Sequence, residues 1–107
     1  MVDAPGAPVV VTLPGEIDYT NAAGIQADLH AAIVRGGVVI ADLSRTTFCD
    51  SRGFSTLVKA HQRAQETRAE FRVVVPPGPV RRNMAALALD RALAVFPGMD
   101  LALAGHI

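Results

Sequence analysis

Asp42-Leu43-Ser44-Arg45-Thr46-Thr47-Phe48-Cys49-Asp50-Ser51-Arg52-Gly53-Phe54 joins two segments of opposite character, and its reading decides the fold. Upstream, Val38-Val39-Ile40-Ala41-Asp42-Leu43 is a short, nearly continuous apolar run. Such a run suits a central strand covered on both faces, as parallel sheets require. Downstream, a helix begins near Ser51 or Arg52. Phe54, Leu57, Val58, His61 and Ala64 fall on one face of it, and Thr56, Lys59, Arg63 and Glu66 on the other. Ser44 to Cys49 is then a connector, and Asp50 or Ser51 is available as the helix N-cap.

Working outward, Val9 to Leu13 is a β-branched strand stopped by Pro14-Gly15, and Glu16 to Tyr19 continues it. Asn21 is a good N-cap for a helix whose apolar stripe is Ile25, Leu29, Ala32 and Ile33, ended by Gly36-Gly37. Gly24 inside that helix costs about 1 kcal/mol against Ala, so the helix depends on packing. Phe71 to Val75 is another strand, stopped by Pro76-Pro77-Gly78-Pro79, and Pro79 and Val80 open a third helix. Ala92 to Phe96 supplies a last strand, and Met99 to Ala104 a short closing helix. Strands and helices therefore alternate, which specifies an α/β fold with a four- to five-stranded mixed sheet and helices packed on it. Val38 to Leu43 is expected at its centre, with helices Asn21–Arg35 and Ser51–Glu66 on the same face.

The 107 residues suffice for one domain, residues 1–107, and are too few for two. Half the residues are hydrophobic but only 5% are aromatic, so the core is built from Ala, Val, Leu and Ile. Lys+Arg and Asp+Glu are 10 each, so no net field favours nucleic acid or an anionic membrane. Lys59 is the only lysine among the basic residues, a bias that suggests a GC-rich bacterial genome. Cys49 stands alone, which rules out an intrachain disulfide and suits a reducing compartment. Met1 to Pro8 carries no secretory signal pattern, and the apolar runs fall far short of the roughly 20 residues of a membrane span. A cytoplasmic location is expected.

The motifs of several enzyme classes are missing. No glycine-rich run precedes a Lys-Ser or Lys-Thr pair, and no G-x-G-x-x-G follows a strand. His30, His61 and His106 lie far apart without ligand spacing, which argues against a metal site. A phosphoacceptor receiver domain could use Asp42, but its acidic pair and late lysine have no equivalents. No nucleophile–base pair is apparent, so no catalytic residue, no cofactor and no enzymatic activity are expected. His61 reads as a partly buried structural histidine, Cys49 as a small core residue, and Arg81-Arg82 as a solvated face.

The junction segment resembles the signature of the STAS family, in which a strand ends in D-L-S, a connector ends in F-x-D-S, and S/T-G-L/F opens a helix. Gly15-Glu16-Ile17-Asp18 is similar to the family's G-E-L-D. The helix Leu57 to Ala64 and Val80-Arg81-Arg82 with Leu89-Asp90-Arg91 are familial as well, so the resemblance runs from about Val9 to Ala104. The segment ahead of Val9 is short, which leaves the family's usual first strand reduced or missing. The resemblance points to the anti-sigma factor antagonist type. It implies that the loop and helix N-terminus dock on an anti-sigma factor, a serine-protein kinase of the ATPase fold, and so regulate transcription.

By the same resemblance, the partner-binding residues are Asp18, Asp50, Ser51, Arg52, Gly53 and Thr56, on an exposed edge. Phosphorylation of a hydroxyl directly before the glycine ends docking in the family. A phosphate adds roughly −1.5 to −2 charge, enough to disrupt an interface beside acidic groups. Here that position is Arg52, which accepts no phosphate and is no phosphomimic. Either docking is constitutive, or phosphate moves to Ser51, or to Ser55 or Thr56 a turn later. Transfer depends on in-line placement of the acceptor, which disfavours a shifted hydroxyl. The rival expectations are a STAS module that senses a nucleotide or small apolar ligand, with a pocket beside the second helix's N-terminus, and a structural subunit of a larger assembly. The sequence leaves the oligomeric state open.

Overall fold

The computed structural model describes residues 7–105. The elements run β1 (Val9–Thr12), β2 (Glu16–Ile17), α1 (Ala22–Val34), β3 (Val38–Asp42), β4 (Phe48–Cys49) and α2 (Ser51–Thr67). They continue with β5 (Glu70–Val74), α3 (Pro79–Ala86), α4 (Leu89–Ala92), β6 (Ala94–Phe96) and α5 (Met99–Ala104). Strands β1, β3, β5 and β6 form one sheet in that order, and β2 and β4 form a separate two-stranded ribbon.

Each step across the main sheet moves to the next strand in the same direction. Crossovers between parallel strands are nearly always right-handed, so one direction of travel puts the connecting helices on one face. The packing agrees. Ile25, Leu29 and Ile33 of α1, Leu57 and Ala60 of α2, and Met84 of α3 share one core with Val39, Ala41, Val73 and Val95. The alternate residues of the same strands point the other way, where Ile40, Val74 and Phe96 meet Ala102 of α5. The strand Val38–Asp42 is thus central and buried on both faces, and α1 and α2 lie on the same face, as the apolar run implied.

Several details differ from the sequence expectations. Every strand pair among the described residues is parallel, so the antiparallel member of a mixed sheet is not among them. The segment ahead of Val9, the place of the family's first strand, lies largely outside the described residues. The connector Ser44 to Cys49 contains β4, whose two residues are too few to show an alternating pattern. The final strand is shorter than Ala92 to Phe96, because Leu89 to Ala92 closes a separate helical turn. At the end of α1, Gly36 and Gly37 both take φ of +81°, a conformation open to glycine, and turn the chain into β3. No helix among the described residues is long and apolar enough to cross a membrane.

The centre and the margin of one face of the sheet make a stability prediction. Ile40 is fully buried, whereas Val10, its neighbour on β1, the outermost strand among the described residues, is 44% exposed. Ile40→Ala is expected to cost about 2–5 kcal/mol in urea unfolding. Val10→Ala is expected to cost less than about 1 kcal/mol. Equal losses at both positions would contradict this layering.

Candidate functional site

The β2–β4 ribbon brings two distant loops together at one end of the molecule. Its parallel register sets Glu16 against Phe48 and Ile17 against Cys49. The Gly15 carbonyl accepts from the Thr47 and Phe48 amides at 2.8 and 3.3 Å, and the Asp50 amide donates to the Ile17 carbonyl at 3.0 Å. The Thr46 hydroxyl adds a bond to the Pro14 carbonyl at 2.8 Å. Ile17 and Cys49 point inward and are buried, so Glu16 and Phe48 point outward. Continuing the register by one residue places Asp18 beside Asp50, although they are 32 positions apart in the chain.

Each aspartate then starts a different kind of turn. Asp50 is the N-cap of α2, its carboxylate accepting from the Arg52 and Gly53 amides, both at 3.0 Å. This satisfies two of the helix's unpaired donors and is worth about 1 kcal/mol. The Asp18 carboxylate accepts from the Thr20 amide at 2.8 Å and from the Thr20 hydroxyl. Those bonds hold its pKa below the usual carboxylate value, the hydroxyl being the larger cause, so Asp18 is an anion at neutral pH. Asn21 does not cap α1 with its side chain, contrary to expectation. Its Oδ1 accepts from the Asp18 amide at 3.0 Å and its Nδ2 donates to the Glu16 carbonyl at 2.8 Å. Asn21 therefore fastens the turn after β2.

The start of α2 sits very close to the ribbon. A Cβ on Gly53 would lie 2.5 Å from the Cys49 sulfur and 2.6 Å from Cγ2 of Ile17. Gly53 is buried and packs against the ribbon. Burial, with Asp50 as a lesser cause, pushes the Cys49 thiol up to about 12. It stays protonated at neutral pH and is a core residue, not a nucleophile.

Of the expected partner-binding residues, Ser51 and Arg52 are exposed, and Asp18 and Asp50 are partly exposed. Ser51 is not the cap, and its hydroxyl makes no hydrogen bond among the described residues. Thr56 is a correction. It was placed on the polar face and is only 3% exposed, with its hydroxyl donating to the Arg52 carbonyl at 3.0 Å. The reason is that α2 packs on α1 as well as on the sheet, so its buried arc is wider than the stripe that faces the sheet. Thr56 and Ala60 are buried outside that stripe, and the Thr56 hydroxyl also reaches the Ala22 carbonyl of α1 at 3.5 Å. Arg81 is also less free than a solvated face implies, since its guanidinium donates to the Val75 carbonyl at 3.0 Å.

Two further surface residues were not singled out from the sequence. Tyr19, just after Asp18, is 70% exposed, and Phe48, on the outer side of the ribbon, is 50% exposed. The chain has only five aromatic residues, four Phe and one Tyr, and Phe54, Phe71 and Phe96 are buried. Both exposed rings thus belong to the segment that holds Asp18 and Asp50. Their signal in the sequence was rarity, since a chain so poor in aromatics does not waste them at random.

Comparison with known proteins follows this geometry. The STAS domain family model matches residues 1–102. No curated protein sequence matches significantly. Among solved structures, an anti-sigma factor antagonist from Mycobacterium paratuberculosis is 25% identical, with a TM-score of 0.85 over 98% of this chain and 90% of that one. The anti-sigma factor antagonist SpoIIAA in its unphosphorylated form is 20% identical, with a TM-score of 0.68 over 92% of this chain and 87% of that one. The Bacillus cell fate determinant SpoIIAA in its phosphorylated form is 20% identical, with a TM-score of 0.67 over 95% of this chain and 93% of that one. At that identity the SpoIIAA likeness establishes fold alone.

The contact at Gly53 generates the prediction for this site. Ala is the better helix former by about 1 kcal/mol, but the added carbon meets Ile17, which is β-branched and buried. Overpacking costs about 1–3 kcal/mol and wins, so Gly53→Ala is expected to lower the melting temperature. A melting temperature at or above that of the parent would show that the helix start can move away from the ribbon.

Proposed function

The chain belongs to the STAS domain family, and we propose that it acts as an anti-sigma factor antagonist, with the rim around β2, β4 and the start of α2 as its docking surface. One observation carries this reading. The two aromatic rings that the fold leaves outside the core, Tyr19 and Phe48, both lie on the segment that positions Asp18 and Asp50. Exposed rings beside charged groups are the composition of an energetic centre in a protein interface. The similar Mycobacterium paratuberculosis structure is that of an anti-sigma factor antagonist, which gives the class of partner. We take that partner to be an anti-sigma factor with a serine-kinase fold in the bacterial cytoplasm. Docking, not catalysis, is the work assigned to this chain, and release of a sigma factor is its consequence.

Within this reading, Arg52 stands where the family carries its phosphoacceptor. Its guanidinium is exposed and makes no ion pair among the described residues. A cation at a helix N-terminus is unfavourable by about 0.3–1 kcal/mol, so helix stability does not explain it. Ser51 is exposed and unbonded, but one residue is a rotation of about 100° around the helix. A kinase that addresses position 52 finds no hydroxyl in line there. Docking is therefore constitutive in this proposal.

Two measurements test it. Phe48→Ala and Tyr19→Ala are expected to leave the melting temperature within a few degrees, because both rings stand outside the core. Phe48→Ala is expected to weaken binding of the anti-sigma factor roughly 30-fold in calorimetry, the partner having been recovered from native cytoplasm and identified by mass spectrometry. Asp50 is a poorer probe, since its substitution also removes the α2 cap. Folded variants with parental affinity would remove the rim from the interface. In the second measurement, the chain is incubated with the partner kinase, Mg²⁺ and ATP. The parent is expected to stay unphosphorylated while Arg52→Ser accepts phosphate, and stoichiometric phosphate on parental Ser51 would contradict constitutive docking.

A further inference from the structure

Beside the start of α2, a cleft of about 290 Å³ lies between α1 and α2. Ala22, Ala23 and Gln26 of α1 line one wall, and Arg52, Ser55, Thr56 and Lys59 of α2 line the other. Two of these seven residues are cations, and none is an acid. Arg52 and Lys59 are seven residues apart on one helix, which separates their Cα atoms by about 10.5 Å along the axis. Both side chains are long enough to lean over the space between. The ion pairs among the described residues are Arg63–Glu66 and Arg72–Glu70, so neither cation of the cleft is neutralised by a neighbour. The whole chain is formally neutral. The positive charge here is a local concentration, not a sample of a basic surface.

We propose that this cleft binds a small oxyanion of the phosphate class, held between the Arg52 guanidinium and the Lys59 ammonium. The guanidinium offers a planar fork of donors that matches two phosphate oxygens, and the ammonium supplies a second, more mobile charge. Gln26 and Ser55 add neutral hydrogen-bonding groups on opposite walls. The α2 amides of Arg52 and Gly53 are already taken by Asp50, so side chains carry the site. Size and lining select the ligand. The volume lies at the lower edge of the roughly 300–1,000 Å³ found for organic ligands. No aromatic side chain lines the cleft, so nothing there stacks on a nucleobase. A free phosphate ion, or the phosphoryl end of a small metabolite, fits this description, and a whole nucleotide does not.

The experiment is an amide NMR titration of the isolated chain with inorganic phosphate, at ionic strength fixed with sodium chloride. Fixing it separates site binding from general screening. Saturable shifts confined to the signals of Ala23, Gln26, Ser55 and Lys59 are expected. Arg52→Gln and Lys59→Gln are each expected to weaken binding roughly 2- to 5-fold. Both side chains are exposed, and unchanged signals in the sheet verify that each variant is folded. Adenosine monophosphate, as a second probe, is expected to bind no more tightly than phosphate. Shifts that fail to saturate, that chloride alone reproduces, or that persist undiminished in the double variant would overturn the site. Adenosine monophosphate binding more than roughly tenfold tighter would overturn the assignment to a small oxyanion. The measurement involves no partner protein, and Lys59 lies outside the docking rim, so failure here leaves the docking proposal standing.

Discussion

The helix that carries Ser51 and Arg52 can begin where it does only because residue 53 has no side chain. A Cβ there would overlap a cysteine sulfur and an isoleucine methyl that are themselves buried. The absence of one carbon lets the helix axis approach the β2–β4 ribbon closely enough for Asp50 to end the ribbon and cap the helix at once. The other features at that end of the molecule depend on this contact. It buries Cys49, aligns the helix start beside Asp18, and leaves residues 51 and 52 facing outward.

The fold was legible because its strongest signals are local. Val38 to Leu43 is apolar without interruption because β3 is covered on both faces. The Pro-Gly clusters mark the true ends of β1 and β5. Elements shorter than their own period escaped notice. The strand β4 has two residues, and two residues cannot alternate. Thr56 was misplaced because a helical wheel drawn for one neighbour ignores the second, and α2 has both the sheet and α1 beside it. Asn21 was read as a cap from its type alone. Its amide instead finds Glu16 and Asp18 across a turn that exists only once β2 has paired with β4.

The candidate site was legible in a different way. Asp18 and Asp50 were picked out by their match to motifs, and the structure supplies the physical reason for bringing them together, a parallel ribbon of two residues on each strand. The exposed rings could not be assigned in advance, because exposure depends on which side of a strand faces the core. Phe48 and Cys49 are neighbours in sequence, and a register slip by one residue would exchange them. Charge adds a further layer. Asp18 is kept ionised by its bonds from Thr20, Asp50 caps the helix start, and Arg52 is exposed beside them. The rim therefore presents fixed charges of both signs before anything binds.

The ribbon itself is held by main-chain bonds, from Thr47, Phe48 and Asp50 to Gly15 and Ile17. Outward side chains take no part in them. A gene copy that changes its residue at position 48, 19 or 52 therefore keeps the same scaffold, because the bonds that shape the surface do not depend on those identities. Divergence toward a new partner and retention of the fold become separate problems for evolution. A genome can hold several such copies, each insulated from the others' partners by a few outward side chains. The Mycobacterium paratuberculosis structure, three-quarters different in sequence and nearly superimposable in fold, lies within that range.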